Sequence, residues 1–306
     1  MRPALRFIAL ALGALGLTVA AVLLGVQAFW IEPRQLTLTT LRVESPSWPA
    51  NTPPLRAVLL SDIHIDGIHS GPDRARRLAH VVELLDADVV LLAGDYVGGQ
   101  GRQGGGDHAK LKARSERGNE RIRKGLTAIG SIKGRNGTFA VIGNHDCWWD
   151  CDAVRTTLQA SGATVLENAP APARSGAGRV WIIGLEDGQT QRPDFEVASR
   201  GVPVGEAAIV LAHNPGLFDW ASNTWPLMVA GHTHAGQVRL PFVGAPVRMS
   251  RHTEDTARAP LIQNGRVLIV TRGVGTVGLP VRFGAPPELM LLEFRHGPTA
   301  RVQRFS

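Results

Sequence analysis

Eight short apolar runs, each closed by small or polar residues, set the pattern of the chain beyond residue 54. They are Ala57–Ser61, Val89–Ala93, Phe139–Ile142, Val180–Gly184, Ile209–Ala212, Leu227–Ala230, Val267–Thr271 and Leu289–Phe294. Runs that are apolar at nearly every position, rather than at every second one, predict strands covered on both faces. Between the first two, Pro72–Ala87 carries Leu78, Val81, Val82, Leu84 and Leu85 at helical spacing. Ser70 is the expected cap of that helix, and Pro72 fits its first turn. Strand, helix, strand within this length is a βαβ unit. The whole series predicts an α/β sandwich of sheets flanked by helices.

The start of the chain has a different pattern. Phe7 to Phe29 carries no charge, long enough to span a bilayer as a helix. The run exceeds the ~7–15 residues of a signal-peptide core, which favours a retained anchor. Val26-Gln27-Ala28 offers a small-residue cleavage site for the alternative, a signal peptide. Arg2 and Arg6 precede the span, and Arg34 and Arg42 follow it. The basic residues nearly balance, and the short N-terminus is expected inside, with the bulk of the chain outside the cytoplasm. Residues 30–54 hold five prolines. They read as a tether in which Leu36, Leu38 and Leu41 could form an edge strand. The organisation expected is therefore a stub and span over 1–29, a linker over 30–54 and one soluble domain over 55–306.

Composition narrows the class. An apolar content of 44% excludes a disordered chain. Two cysteines exclude a disulfide-rich scaffold and a cysteine-based zinc module. The net charge of +7 suggests an anionic partner. Five of those seven units come from residues 98–124, which hold seven glycines, eight Lys/Arg and three acids. Its Gly-rich half cannot build a core. From about Asp107 the segment reads as an exposed basic helix. A solvated insertion is the plain reading, and a basic flap meeting an anionic substrate or membrane the functional one. No basic groove interleaved with aromatic residues supports a nucleic-acid partner.

Chemistry-bearing residues gather where the predicted strands end. Asp62 and His64 follow the first, Asp95 the second, and Asn144, His145 and Asp146 the third. His213 follows a later strand, and His232 and His234 the next. Ligands of open α/β folds collect beyond the carboxyl ends of strands. One Asp or His in such a place is usually a turn former or hydrogen-bonded filler. Five strand ends bearing Asp, His or amide oxygen together suit two divalent metals sharing a carboxylate. Imidazole, carboxylate and amide donors without thiolate favour Zn, Fe, Mn or Co over soft metals. Two such ions clamp a phosphoryl group and make a nucleophile of water at neutral pH.

These motifs, D-x-H (Asp62, His64), G-D (Gly94, Asp95), G-N-H-D (Gly143 to Asp146), a lone H (His213) and G-H-x-H (Gly231 to His234), resemble the calcineurin-like metallophosphoesterase family in kind and order. GDYV (94–97), AHNP (212–215), GHTHAGQVRLP (231–241) and the tail from Thr271 to Leu289 look most like its membrane-anchored bacterial YaeI- and YkuE-like subgroup. The resemblance implies a four-layer αββα sandwich behind one N-terminal transmembrane helix. It implies two divalent ions, one on Asp62, His64 and His234, the other on Asn144, His213 and His232, with Asp95 bridging. It implies His145 as general acid, oriented by Asp146.

The function so implied is hydrolysis of a phosphoester or pyrophosphate bond by a hydroxide bridging the two metals. The substrate expected is lipid-linked or from the cell envelope, in the manner of a UDP-2,3-diacylglucosamine pyrophosphatase, at a bacterial inner membrane. The alternatives are a non-catalytic metal-binding scaffold and a phosphodiesterase acting on nucleotides or nucleic acid. Arg272 and Arg282 are candidates for phosphate contact or structural pairing. Trp148 and Trp149 could cradle an apolar substrate or fill the core. Asn168, Glu186 and Asp187 read as turn formers. Cys147 and Cys151, at i and i+4, read as free thiols rather than a disulfide.

Overall fold

The computed structural model describes residues 3–98, 115–176, 178–221, 223–257 and 259–305. A helix α1 (Pro3–Val26) opens the chain and continues through two short helical turns, Gln27–Ile31 and Glu32–Arg34. The segment is long and apolar enough to cross a membrane, and the rest of the protein leaves its apolar length unburied.

All eight predicted strands are present, with ends shifted by no more than a few residues. In chain order the elements are β1 (Thr37–Ser45), β2 (Leu55–Leu60), α2 (Pro72–Leu84), β3 (Val89–Leu92), α3 (Glu116–Gly130), β4 (Thr138–Ala140), α4 (Asn144–Ala160), β5 (Thr164–Val165), β6 (Ala169–Ser175), β7 (Gly178–Gly184), β8 (Ala207–Leu211), β9 (Leu227–Ala230), β10 (Leu261–Gln263), β11 (Arg266–Val270), β12 (Glu288–His296) and β13 (Arg301–Arg304). They form a seven-stranded sheet, β13-β1-β12-β2-β3-β4-β5, and a six-stranded sheet, β10-β11-β9-β8-β7-β6. β2 to β5 run parallel, as do β7, β8, β9 and β11.

Three buried clusters show the layers. Leu59, Leu91, Ile209 and Val229 belong to one core between the two sheets. Leu60, Leu78, Leu126 and Leu158 belong to a second, joining the larger sheet to α2, α3 and α4. Ile183, Val210 and Phe218 belong to a third, on the outer face of the smaller sheet. This is the αββα sandwich expected.

Four expectations change. Residues 37–45 are not a tether with an edge strand. β1 lies inside the larger sheet, parallel to β12 and antiparallel to β13. Both its partners come from the far end of the chain, which local pattern does not reveal. Ser70 does not cap α2. Gly71 holds that position, while the Ser70 hydroxyl donates to the Ile63 carbonyl. From Ser115 onward the basic segment is core structure rather than a solvated insertion. Ser115 caps α3, and Ile122, Leu126 and Ile129 bury its inner face. Arg117, Arg121, Arg123 and Lys124 are the solvent face of the same helix. Of the segment 98–124 expected as an insertion or flap, residues 99–114 lie outside the described residues. Cys147 and Cys151 form a disulfide. The backbone of α4 breaks at Asp150 (φ −171°, ψ 96°), so the two cysteines do not keep helical i, i+4 spacing.

The edge strand β6 carries Pro170 and Pro172, whose missing N–H groups are tolerated on a sheet edge.

Candidate metal centre

The two sheets present their carboxyl ends to one place. β2, β3 and β4 deliver Asp62, His64, Asp95, Asn144 and His145 from one side; β8 and β9 deliver His213, His232 and His234 from the other. Asp62, His64, Asp95, Asn144, His213, His232 and His234 are all buried.

Five of these seven sit in the left-handed backbone region: Asp62 (φ 53°), His64 (48°), Asp95 (55°), His232 (70°) and His234 (50°). Non-glycine residues seldom adopt it, and each instance costs about 1 kcal/mol or more. The chain turns sharply after each strand and aims the side chain back over the strand end. Two glycines make room. A Cβ on Gly143 would stand 2.3 Å from Asp95 Oδ1, and one on Gly231 would stand 2.0 Å from Ser61 Oγ and 2.5 Å from Asp62 Oδ2. This is the physical reason for glycine in G-N-H-D and G-H-x-H.

Two groups of donor atoms result, each compact enough to hold a metal ion: Asp62, His64 and His234, and Asp95, His213 and His232. In the first, His64 Nε2 and His234 Nε2 are 3.0 Å apart, with Asp62 Oδ1 3.5 Å from His234 Nε2. In the second, His213 Nε2 lies 3.1 Å from His232 Nδ1, 3.1 Å from Asn144 Oδ1 and 3.3 Å from Asp95 Oδ2. Asp95 Oδ2 is also 3.8 Å from His64 Nε2, so this one oxygen faces both groups.

Hydrogen bonds behind these residues test whether the donors suit a cation. His213 Nδ1 donates to the Ala93 carbonyl at 2.8 Å. In the neutral ring this leaves the Nε2 lone pair facing the oxygens of Asp95 and Asn144. His64 Nδ1 donates to Val97 O at 3.3 Å, leaving its Nε2 lone pair for the centre. In His213 and His64 the outer bond thus fixes the tautomer a metal ligand needs, with Nε2 free toward the centre. His232 hydrogen-bonds the Met249 backbone. The Gln189 amide stands 3.2 Å from its Nε2.

The electrostatics agree. Burial pushes His64 and His232 down to about 3 and His234 well below its ordinary value, so three rings are neutral and able to coordinate. Burial pushes Asp62 up to about 7. Burial would lower His213, but the Asp95 carboxylate beside it raises it well above its ordinary value. Burial likewise opposes ionisation of Asp95, yet His213 and His145 hold it well below the usual range. Without a metal, a proton on His213 supplies the positive charge that the Asp95 carboxylate requires.

His145 stands apart from the ligand sets. Its backbone N–H donates to Asp95 Oδ1 at 2.9 Å. Its half-buried ring lies 4.8 Å from that of His64 and 4.5 Å from that of Trp148. It lines a cleft of about 590 Å³ with His234, Thr233 and apolar residues including Val247, Leu279 and Val281. Asp146 is buried. Its Oδ2 accepts from the N–H groups of Asp95 and Gly143 and its Oδ1 from that of Val97, all at 2.9 Å. Asp146 thus locks the Asp95 turn against the β4 turn.

Arg282 is buried, and its guanidinium donates to the carbonyls of Gly275, Arg272 and Ala285, with Nη2 3.1 Å from His234 Nδ1. Arg272 pairs with Glu288 at 2.7 Å. Trp149 is buried and donates to Asn119 Oδ1, so only Trp148 borders the site. Asn168 Oδ1 accepts from Glu186 and Asp194 N–H groups. Asp187 Oδ2 accepts from Gln189 and Thr190 N–H groups, setting the turn that brings Gln189 to His232. Gln189 escaped the sequence reading because no motif marks it.

The family model described as calcineurin-like phosphoesterase matches residues 55–236, more than half of the chain and every residue of the two donor groups. The chain belongs to the calcineurin-like phosphoesterase family. It is therefore a hydrolase by family, with relatives named for that chemistry. The metallophosphoesterase YkoQ of Bacillus subtilis is 25% identical over 240 residues, covering 77% of this chain and 82% of YkoQ. The phosphodiesterase YaeI of Escherichia coli is 35% identical over 170 residues, covering 51% of this chain and 57% of YaeI. A Danio rerio protein named as a transmembrane protein with metallophosphoesterase domain is 29% identical over 258 residues, covering 77% of this chain but 52% of that protein. The chain thus spans most of YkoQ and about half of the other two. Membrane association of this metallophosphoesterase agrees with its N-terminal helix.

Proposed function

We propose that this metallophosphoesterase hydrolyses a phosphoester or pyrophosphate bond in a lipid-linked or cell-envelope substrate at a two-metal centre. Asp62, His64 and His234 would hold one ion, Asn144, His213 and His232 the other, and Asp95 both. The observation that carries this reading is Asp95 Oδ2, 3.8 Å from His64 Nε2 and 3.3 Å from His213 Nε2, between the two groups of donor atoms. Mn, Fe, Zn or Co suits these donors. Two such ions supply charge neutralisation at phosphorus and an acidified water.

The chain's own residues do the rest. His145, on the cleft wall and outside both ligand sets, would meet a phosphoryl oxygen and give a proton to the leaving group. Asp146 keeps the Asp95 and His145 turns in register through its backbone bonds. The apolar wall of Val247, Leu279 and Val281 suits an apolar substrate portion. An extracytoplasmic domain is favoured by the Cys147–Cys151 disulfide, since such bonds persist in oxidising compartments.

The test is hydrolysis by the full chain with Mn²⁺, comparing nitrophenyl with alkyl phosphate esters in wild type and His145→Ala. Loss of the acid should depress the alkyl ester by roughly 10²–10⁴-fold and the nitrophenyl ester far less. Equal losses for both would remove His145 from the acid role. A reporter fused to the C-terminus checks orientation, and a cytoplasmic signal would refute the extracytoplasmic placement.

A further inference from the structure

The membrane helix does not end in a free tether. Beyond α1 the chain is bolted to the catalytic domain. The Arg282 N–H donates to the Ala28 carbonyl at 2.9 Å. The Ala285 N–H donates to the buried Glu32 carboxylate at 2.8 Å. Arg74 donates to the Pro33 carbonyl at 2.8 Å. Trp30 meets the His69 ring edge-on at 6.4 Å, and His69 Nε2 donates to the Pro280 carbonyl at 3.1 Å. Two loops of the domain, around residues 66–70 and 279–285, are thereby fixed at the end of the span.

A third segment joins them. Arg239 N–H donates to Phe283 O at 2.7 Å, and Leu240 pairs with Gly244 to close a tight hairpin. Leu240 and Pro241 line one cavity of about 740 Å³ with Gln27 of the helix end. The hairpin tip reads Leu-Pro-Phe-Val, with no polar side chain. Phe242 is fully exposed, Val243 is 65% exposed, and the neighbouring loops add Ile68 at 72% and Leu279 at 67%. Phe242 also holds φ at 65°, a left-handed conformation unfavourable for a bulky residue. Among the described residues no side chain packs over Phe242 to offset that strain. Such outliers persist where they serve a function.

We infer that the Leu240–Gly244 hairpin, with Ile68 and Leu279, is a second membrane-contacting surface that enters the same leaflet from which α1 emerges. The occupant is lipid because the surface is continuous with the span: the bonds from Ala28, Glu32 and Pro33 hold all three segments beside it. Trp30 at the helix end is the residue type that settles at a bilayer interface. Leu279 belongs both to this surface and to the wall of the cleft beside His145. The mouth of the centre is thus set against the bilayer. For the reaction, which rests on the function proposed above, a lipid phosphate would reach His145 from the leaflet with its chains along Val247 and Leu279.

The test uses the full chain in vesicles of phosphatidylethanolamine and phosphatidylglycerol, with a nitroxide on Phe242→Cys. The native cysteines are paired and do not compete for the label. Power saturation should find this label accessible to oxygen and shielded from a water-soluble nickel chelate. A control label on Val204→Cys, in the loop before β8 at the opposite end of the strands, should be open to nickel. Equal nickel access at both positions overturns the inference. So does dipolar broadening between labels at 242 that vanishes on dilution with unlabelled chain, because a second copy would then cover the tip. As a second readout, Phe242→Asp should slow hydrolysis of vesicle-borne hexadecyl nitrophenyl phosphate about tenfold, leaving soluble bis-nitrophenyl phosphate unchanged. Unchanged rates on both esters overturn the inference. If neither ester is cleaved by wild type, the functional reading falls, and the depth measurement decides the surface alone.

Discussion

Gly143→Ala isolates the geometry of the centre from backbone strain. Gly143 has φ −97° and ψ 174°, an extended conformation any residue adopts, so alanine carries no conformational penalty there. The added methyl carbon would instead stand 2.3 Å from Asp95 Oδ1 and 2.6 Å from the Asp95 nitrogen. Ordinary carbon–oxygen contact is about 3.5 Å, so more than an ångström of overlap must be relieved. The neighbours cannot give freely. Asp95 N–H and Gly143 N–H are both held by Asp146 Oδ2, and His145 N–H is held by Asp95 Oδ1. The movement therefore falls on the Asp95 carboxylate, the oxygen between both donor groups. Overpacking of this kind costs about 1–3 kcal/mol of stability. A misplaced positioning group of about 1 Å costs on the order of 10²-fold in rate. The assay pairs a thermal melt with Mn²⁺-dependent hydrolysis of a nitrophenyl ester. Gly201→Ala is the control, with φ 82° and nothing within 4 Å of the added carbon. It should lose about 1 kcal/mol and keep its rate. A Gly143→Ala enzyme with wild-type rate would refute the reasoning.

Two further outcomes follow from the same contacts. Arg282→Met should destabilise by roughly 3–5 kcal/mol, because it strands the carbonyls of Gly275 and Ala285 that the buried guanidinium satisfies; a melt unchanged within about 0.5 kcal/mol would count against that role. The Cys147→Ser, Cys151→Ser double variant should lose about 2 kcal/mol, the loop-closure value for so short a ring, and thiol titration of unreduced, denatured wild type should find none free.

The sequence revealed the site more fully than the fold around it. Every residue of the two donor groups directly follows a strand whose apolar run is unbroken, so strand prediction placed them at one edge together. The interior position of β1 and the existence of β6 hid for different reasons. β1 alternates weakly and takes both partners from the chain's last twenty residues. β6 carries two prolines that only its edge position permits. α3 was mistaken for surface because its charges are plain in the sequence, while Ile122, Leu126 and Ile129 show their purpose only once α2 lies beside them. Arg282 and Gln189 come to the ligand histidines from distant loops, which no local pattern encodes. The left-handed turns at five ligands were invisible for the same reason: the sequence has Asp and His there, not the glycine that usually announces such a backbone.

Metal stoichiometry measures the central claim most directly. Wild-type full chain dialysed against Mn²⁺ should hold two ions, and Asp95→Asn should lose at least one along with hydrolysis. Equal metal content in the two proteins, or a wild type active with one ion or none, would contradict a shared two-metal centre.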